Sequence, residues 1–277
     1  MIISKYIGQM RAIFQFCFFV LVLSFLSCDD IDTNENKEPV SAKKILYEWN
    51  FSDEKPFHDL AELTENVSVV SDPLDSTNKV QQFILNKGES RTEVSVGASS
   101  PHYFYADKND SVHGEEFWVG FKILKFKEPF TGANTSPSIF QIGPIQNTVS
   151  NPGITSKGHY QLMLNTESDE WKWREYSSDF NPNSYSSDIS TINYGKWDRL
   201  VFHCIFRSDD TALIEIWQND KKIYSKKRQN GTKHSRTRIK WGIYVGTSNK
   251  ANEKLTCYFD DIKIGNQLSG YNDVVPK

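Results

Sequence analysis

Hydrophobic and polar residues alternate along most of this chain with a period of two, the pattern of half-buried β-strands. Aromatic and β-branched residues concentrate in short runs, and Asn, Asp, Gly and Pro occupy the turns between them. The predicted strands cover residues 44–51, 80–85, 91–96, 116–127, 138–142, 160–165, 170–175, 197–206, 212–218, 222–224, 239–245 and 256–264. Helical periodicity is nearly absent, with one candidate helical turn at residues 59–65. The pattern therefore predicts an all-β fold, a sandwich of two antiparallel sheets.

The first 27 residues have the pattern of an export signal. Lys5 and Arg11 precede a mostly apolar run at residues 13–26, which is too short for a typical membrane span. The run ends at Phe25-Leu26-Ser27-Cys28, which is similar to a lipobox. We therefore predict a lipoprotein signal peptide at residues 1–27 and lipidation of Cys28, with ordinary cleavage and no lipid as the alternative. The expected location is the outer membrane, cell surface or periplasm of a Gram-negative bacterium, with the lipid as the only membrane anchor.

Composition divides the exported part in two. Residues 28–44 are acidic and polar, with almost nothing to bury, and are predicted to form a disordered tether. Residues 45–277 are long enough for one large all-β domain. Loss of Lys5 and Arg11 with the signal peptide takes the formal net charge from −3 to about −5, so the mature chain is mildly acidic. We expect a monomer that has no nucleic-acid partner.

Two cysteines remain in the predicted domain, Cys204 and Cys257. In an exported protein they are able to form one disulfide, and each would also suit a buried position in a strand. Both alternatives stay open at this point. Two cysteines alone do not make a metal site.

Three predicted strands carry polar side chains on one face. They are Ser90-Arg91-Thr92-Glu93-Val94, Ile139-Phe140-Gln141-Ile142-Gly143 and Lys240-Trp241-Gly242-Ile243-Tyr244. Alternation places Arg91, Glu93, Gln141, Gly143, Lys240, Gly242 and Tyr244 on the polar side. Together the segments resemble the R-[ST]-E-L, Q-I-H and K-x-G-x-Y strands of jelly-roll polysaccharide lyases, most closely the heparin-lyase-I-like group, and also motifs of alginate and glucuronan lyases. The resemblance implies a β-jelly roll with a concave glycan-binding cleft.

The resemblance also implies a carbon–oxygen lyase that cleaves a uronic-acid-containing polysaccharide by β-elimination. A base removes the C5 proton, the C6 carboxylate absorbs the developing charge, and the bond from C4 to the bridging oxygen breaks. Arg91 and Gln141 are predicted to neutralise that carboxylate, while Glu93 holds Arg91. Tyr244 is predicted to protonate the leaving oxygen, and Lys240 and Arg91 would favour its phenolate if it also takes the C5 proton. Glycosaminoglycans of the chondroitin/dermatan, hyaluronan or heparin type are the favoured acidic polysaccharides.

The identity of the catalytic base stays open, because Gly143 stands where the resembled family has a histidine. Either Tyr244 is both base and acid, or a histidine on another strand is the base. His159, at the start of the predicted strand 160–165, is the first candidate. His102, in the loop after the Arg91 strand, is a candidate for substrate binding. His203 is predicted to be structural.

Basic residues elsewhere suit an acidic polymer. Lys172 and Arg174 alternate with two tryptophans, so both cations are predicted to share one face and to bind substrate, and Lys122 is a further candidate for the cleft. Asp260 and Asp261, beside the strand that contains Glu48, are candidate oxygen ligands for a structural calcium ion. The predicted reaction requires no cofactor.

Two other functions remain open on the same predicted sandwich. A non-catalytic glycan-binding surface lipoprotein would account for the absent motif histidine. A glycoside hydrolase would need two facing carboxylates, and the spacing of Glu167, Asp169 and Glu170 does not place all three on one strand face.

Overall fold

The alternating segments fold as strands because each can bury one side against a second sheet and leave the other polar. The computed structural model describes residues 44–52, 61–63, 66–96, 116–128, 136–144, 160–176, 183–206, 210–228, 237–246 and 250–277. All of them fall within the unit Ala42–Lys277. The predicted signal peptide and most of the predicted tether lie outside the described residues.

The described residues form fifteen strands and one short helix. These elements are β1 (Ile45–Trp49), β2 (Ala61–Leu63), β3 (Val67–Ser71), β4 (Lys79–Leu85), β5 (Arg91–Val96), β6 (Glu116–Leu124), β7 (Ser138–Pro144), β8 (Tyr160–Asn165), β9 (Glu170–Glu175), β10 (Tyr185–Thr191), β11 (Trp197–Ile205), β12 (Leu213–Gln218), β13 (Lys221–Lys227), β14 (Thr237–Tyr244), β15 (Leu255–Asn266) and α1 (Tyr271–Val274). Among the helices of this described part, none has the length and apolar character of a membrane span.

The strands make two antiparallel sheets. The eight-stranded sheet has the order β13-β12-β11-β6-β15-β4-β3, and β1 pairs with β15 beside this path. The seven-stranded sheet has the order β10-β9-β8-β7-β14-β5-β2. The predicted all-β sandwich of two antiparallel sheets is confirmed. The helical turn predicted at residues 59–65 is wrong, because Ala61–Leu63 pairs with β5 as an edge strand.

Aromatic side chains from both sheets fill the space between them. Phe140 of the seven-stranded sheet lies 4.6 Å from Phe202 and 5.1 Å from Phe121 of the eight-stranded sheet, measured between ring centroids. All three are buried, and rings at these separations gain favourable edge and offset contacts in addition to their area burial. Polar contacts also cross the core, among them a hydrogen bond in which the Trp241 indole donates to Gln81 Oε1 at 2.6 Å. These contacts fix β7 and β14 against the other sheet.

The two cysteines of the domain do not form a disulfide. Cys204 and Cys257 are both free and fully buried. Burial raises the pKa of both thiols well above its ordinary value, because a thiolate is poorly solvated there. The two cysteines therefore pack as small hydrophobic side chains and stay protonated.

Candidate active site

The outer face of the seven-stranded sheet carries two rows of side chains that run across its strands. Neighbours in each row are register partners on adjacent strands. The first row is Ser95, Lys240, Gln141, Gln161, Arg174 and Ser186. The second row is Arg91, Tyr244, Ser138, Met163, Lys172 and Asp188. Intervening residues such as Phe140, Trp173 and Trp241 point into the core, so we call this side the polar face.

The two rows converge from one side of the polar face to the other. They are four residues apart on β5, at Arg91 and Ser95, but only two residues apart on β9, at Lys172 and Arg174. Register shifts between Trp241 and Tyr244, and again between Ser138 and Phe140, produce the change. At about 3.3 Å per residue, the two rows are about 13 Å apart on β5, which we call the wide end of the polar face. They are about 7 Å apart on β9, which we call the narrow end.

Gly242 allows the backbone path at the wide end. It lies between Lys240 and Tyr244, and its φ of 127° is a conformation that residues with a side chain rarely adopt. A Cβ added there would lie 2.3 Å from the Thr92 carbonyl oxygen and 2.9 Å from the Phe83 ring. The glycine of the K-x-G-x-Y segment is thus required by the close packing of β14 against β5 and the core ring of Phe83.

A buried carboxylate, Glu93, organises the wide end. Its side chain is 2% exposed and lies 2.9 Å from Arg91 Nε and 3.9 Å from Lys240 Nζ. The Gln141 amide nitrogen donates to Glu93 Oε1. We call these four residues the Glu93 cluster. Within these four residues two side chains are cationic and one is anionic, so the cluster by itself carries surplus positive charge and suits an anionic ligand.

Arg91 connects the Glu93 cluster to solvent and to Tyr244. The guanidinium carbon lies 4.4 Å from the centroid of the Tyr244 ring, a cation–π contact. Guanidinium has five N–H donors. The Nε end faces Glu93, while 39% of the Arg91 side chain is exposed. Arg91 is therefore held at one end and accessible to a ligand beside the Tyr244 ring.

A chain of amide and phenol groups extends from the cluster along the polar face. Gln161 Nε2 donates to Gln141 Oε1 at 3.2 Å, and the Tyr176 hydroxyl donates to Gln161 Oε1 at 3.3 Å. The guanidinium carbon of Arg174 lies 4.4 Å from the Tyr176 ring centroid. Burial raises the pKa of Tyr176, against the opposing effect of Arg174, so this phenol stays protonated and able to donate.

Sequence reasoning assigned no role to Tyr176. The signal that could have found it is the alternation of Lys172 and Arg174, which continues to residue 176 just beyond the predicted strand. Its link to Gln161 depends on the cross-strand pairing of β8 and β9.

The structure brings Arg91, Glu93, Gln141, Lys240 and Tyr244 together at the wide end. Lys172 and Arg174 lie on the same face at the narrow end. There they line a cavity of about 350 Å³ together with Ser136, Met163, Ser184, Tyr185 and Ser186. Gly143 lies in β7, with Arg238 as its register partner on β14. His159, His102 and Cys28 lie outside the described residues.

Lys122 does not belong to the polar face. It lies on β6 of the eight-stranded sheet, with its Nζ 2.9 Å from Asp260 and 3.1 Å from Asp261. Burial alone would lower the pKa of Lys122, but the two carboxylates raise it, so the ammonium stays charged. Its predicted place in the cleft is wrong, because a cation so enclosed by carboxylates serves as their counter-ion.

The carboxylates proposed as calcium ligands are thus in contact with Lys122. Asp260 also accepts a hydrogen bond from Asn78 at 3.0 Å, and Glu48 lies 3.3 Å from Lys263. Within the described ranges, no group of three or more His, Cys, Asp or Glu side chains is placed to hold a metal ion.

His203 lies on β11 of the eight-stranded sheet, away from the polar face. Its ring nitrogens lie 2.9 Å from Glu116 and 3.1 Å from Glu215, and its ring stacks on Trp118 at 3.9 Å between centroids. It is the one histidine among the described residues.

Comparison with known proteins assigns a family. A family model described as "Polysaccharide lyase" matches residues 47–263. No curated protein matches the chain. The solved structures share the fold at low sequence identity. An endo-β-1,4-glucuronan lyase from the fungus Trichoderma reesei has a TM-score of 0.56 and 15% identity, over 84% of this chain and 94% of its own.

Two further solved structures show how widely the fold is used. The alginate lyase Aly36B has a TM-score of 0.54 and 11% identity, over 79% of this chain and 95% of its own. The binding domain of Paraclostridial Mosquitocidal Protein 1 has a TM-score of 0.53 and 12% identity, over 83% of this chain and 51% of that one. A lyase and a binding domain share this sandwich, so the fold alone does not decide the activity.

Proposed function

The chain belongs to the polysaccharide lyase family, and from this membership and the Glu93 cluster we propose that it cleaves a uronic-acid-containing polysaccharide by β-elimination on the polar face. The observation that carries the proposal is the surplus positive charge beside Tyr244, where Arg91 and Lys240 share one buried carboxylate. A uronate carboxylate is the ligand group that would balance this charge. The named substrates of two structural neighbours, glucuronan and alginate, support the same class. Membership of the heparin-lyase-I-like group stays a prediction.

Arg91 and Lys240 bind the C6 carboxylate in the proposed mechanism. Neutralising this group makes the neighbouring C5 proton more acidic, because the charge that develops on proton removal is delocalised into the carboxylate. Glu93 holds Arg91 in place, and Gln141 holds Glu93, since its buried amide is engaged by Glu93 and Gln161. The binding groups are therefore oriented before the substrate arrives.

Tyr244 moves the proton. As a phenolate it takes the C5 proton, and the C5–H electron pair forms the double bond between C4 and C5. The bond from C4 to the bridging oxygen breaks, and Tyr244 returns its proton to that oxygen, so the residue ends as it began. One group acting from one side fits syn elimination from glucuronate. If His159 is the base instead, two opposed groups would also serve anti elimination from iduronate.

We further propose that the natural substrate is a glycosaminoglycan and that the enzyme acts outside the cytoplasm, anchored through a lipid on Cys28. Lys172 and Arg174 at the narrow end support a densely anionic polymer. The segment around Ser27 and Cys28 supports the anchor.

The test is a substrate screen with two variants. Heparin, chondroitin, dermatan, hyaluronan, alginate and glucuronan are incubated with the enzyme, and the ultraviolet absorbance of the unsaturated product is followed. Tyr244→Phe should abolish cleavage and leave the thermal transition unchanged. Tyr258→Phe is the matched control, because it removes a hydroxyl from the eight-stranded sheet. Full activity of Tyr244→Phe would refute the assignment.

His159→Ala separates the two schemes for the base. Near-normal turnover of glucuronate polymers would leave Tyr244 acting alone. A loss of about 10²–10⁴-fold in kcat would make the histidine the base, since general acid–base groups contribute rate factors of this size.

A further inference from the structure

The narrow end of the polar face holds two cations that face no carboxylate within ion-pair distance among the described residues. These are Lys172 and Arg174, adjacent across the two converging rows. By contrast, Arg228 lies 3.1 Å from Glu175, and Arg91 at the wide end lies 2.9 Å from Glu93. The register neighbour of Lys172 is Asp188, but its carboxylate accepts hydrogen bonds from Asn165 at 3.0 and 3.1 Å.

The cavity at this end has the size and lining of a site for one sugar residue. Its volume of about 350 Å³ is near the lower limit of small-molecule pockets. Ser184 and Ser186 bring hydroxyl groups to the wall, and Met163 contributes an apolar surface. Tyr185 lies between the two serines, but its ring faces Tyr224 and Lys226 of the eight-stranded sheet. The lining therefore combines positive charge, hydroxyl groups and an apolar surface.

The cavity is separated from the site of bond cleavage. Tyr244 lies on β14, while Lys172 and Arg174 lie on β9, three strands away in the seven-stranded sheet. At about 4.8 Å per strand, the distance is about 14 Å. A polymer that lies along the two rows would place a different sugar unit in the cavity from the one held at the Glu93 cluster.

We propose that this cavity is a second anion-binding subsite, which holds a carboxylate or sulfate of a sugar some units away from the cleaved bond. The proposal rests on the proposed lyase function and makes the enzyme selective for polymers that carry negative charge at that spacing. Lys172 and Arg174 bind the anion, since ammonium and guanidinium groups donate charge-assisted hydrogen bonds to such oxygens. The hydroxyls of Ser184 and Ser186 border the sugar itself.

The experiment removes the two charges and compares turnover with binding. The Lys172→Gln/Arg174→Gln variant is measured on chondroitin and on chondroitin sulfate, and the same pair is placed in a Tyr244→Phe background to measure polymer binding without cleavage. Lys196→Gln/Lys254→Gln is the matched control. It removes two exposed lysines from turns that precede strands of the eight-stranded sheet.

We expect the KM of the double variant to rise roughly tenfold or more, because hydrogen bonds to charged groups contribute more binding free energy than those between neutral groups. The fold-increase in KM should exceed the fold-decrease in kcat. Binding should weaken by a similar factor and become less sensitive to salt. A defect confined to the sulfated polymer identifies sulfate as the bound group, and an equal defect on both identifies carboxylate. Either result supports the subsite.

Unchanged KM and binding in the double variant, or an equal change in the control, would overturn the subsite. Failure of the lyase function has a different signature: the wild-type protein would form no unsaturated product from any polymer, while the binding arm still reports on the cavity. If no acidic polymer binds the wild-type protein, the subsite is also refuted.

Discussion

Replacing Glu93 by Gln should lower the free energy of unfolding. It should also release Arg91 and Lys240 from their positions on the polar face. The carboxylate is 2% exposed, and the Lys240 side chain near it is 9% exposed. Glutamine keeps the shape but removes the negative charge, and its amide can point an N–H group at the Gln141 donor. Removing one partner of a buried ion pair costs about 3–5 kcal/mol, because the other charge stays buried without compensation.

The structure sets the expected cost at the low end of that range. Arg91 is 39% exposed, so water can take over part of its solvation, while Lys240 has less access to water. We therefore expect a loss of about 3 kcal/mol, a large share of the roughly 5–15 kcal/mol that stabilises a typical domain. KM for a uronate polymer should rise as well, since Arg91 loses its positioning partner.

Urea unfolding measures the effect on stability, read as a lower midpoint at unchanged slope. Glu48→Gln is the matched control. Its carboxylate also faces a lysine, Lys263 at 3.3 Å, but is 59% exposed. Such a surface pair contributes at most about 1 kcal/mol. Equal losses in the two variants would refute the view of Glu93 as a buried counter-charge for the site.

Three further predictions concern other parts of the chain. Gly242→Ala should cost at least about 2 kcal/mol in the same unfolding assay and reduce activity, because its Cβ would overlap the Thr92 carbonyl and its φ is strained; an unchanged midpoint would contradict this path for β14. Cys28→Ala should release the protein from the membrane fraction, and unchanged fractionation would show that the anchor lies elsewhere. Burial opposes ionisation of Glu215, but hydrogen bonds from Lys222 and His203 lower its pKa below the ordinary 4.5. Its charge thus contributes stability above pH 4.5 that fades as the pH falls through the lowered pKa, so the cost of Glu215→Gln should shrink on acidification; a pH-independent cost would argue against it.

The strands of the core could be predicted from the sequence, because every second residue of a half-buried strand is apolar. Each predicted strand coincides with an observed strand to within a few residues. The strand β10 was missed for the converse reason. Its sequence, Tyr185–Thr191, consists mostly of serine and other polar residues on an edge where few side chains are buried, so alternation is absent.

The sequence predicts which residues of a single strand share a face, but it does not predict which strands are neighbours, so only part of the candidate site could be predicted. Alternation places Arg91 with Glu93 and Lys240 with Tyr244, and resemblance links the three segments. Cross-strand register is a property of the folded sheet, so the contacts through Tyr176 could not be anticipated. Lys122 was misplaced for a similar reason, since its two carboxylate partners lie on a strand distant in sequence.

The converging rows suggest how such an enzyme can change its preferred polymer during evolution. Both register shifts occur where β7 pairs with its two neighbours, between the strand that carries Tyr244 and the strand that carries Lys172 and Arg174. The pairing of β14 with β5, which holds Tyr244 beside Arg91, has no shift. A change in the bulges of β7 would therefore alter the spacing of the rows at the narrow end while Tyr244 stays beside Arg91. Substrate preference and proton transfer thus depend on different strand pairings in this sheet.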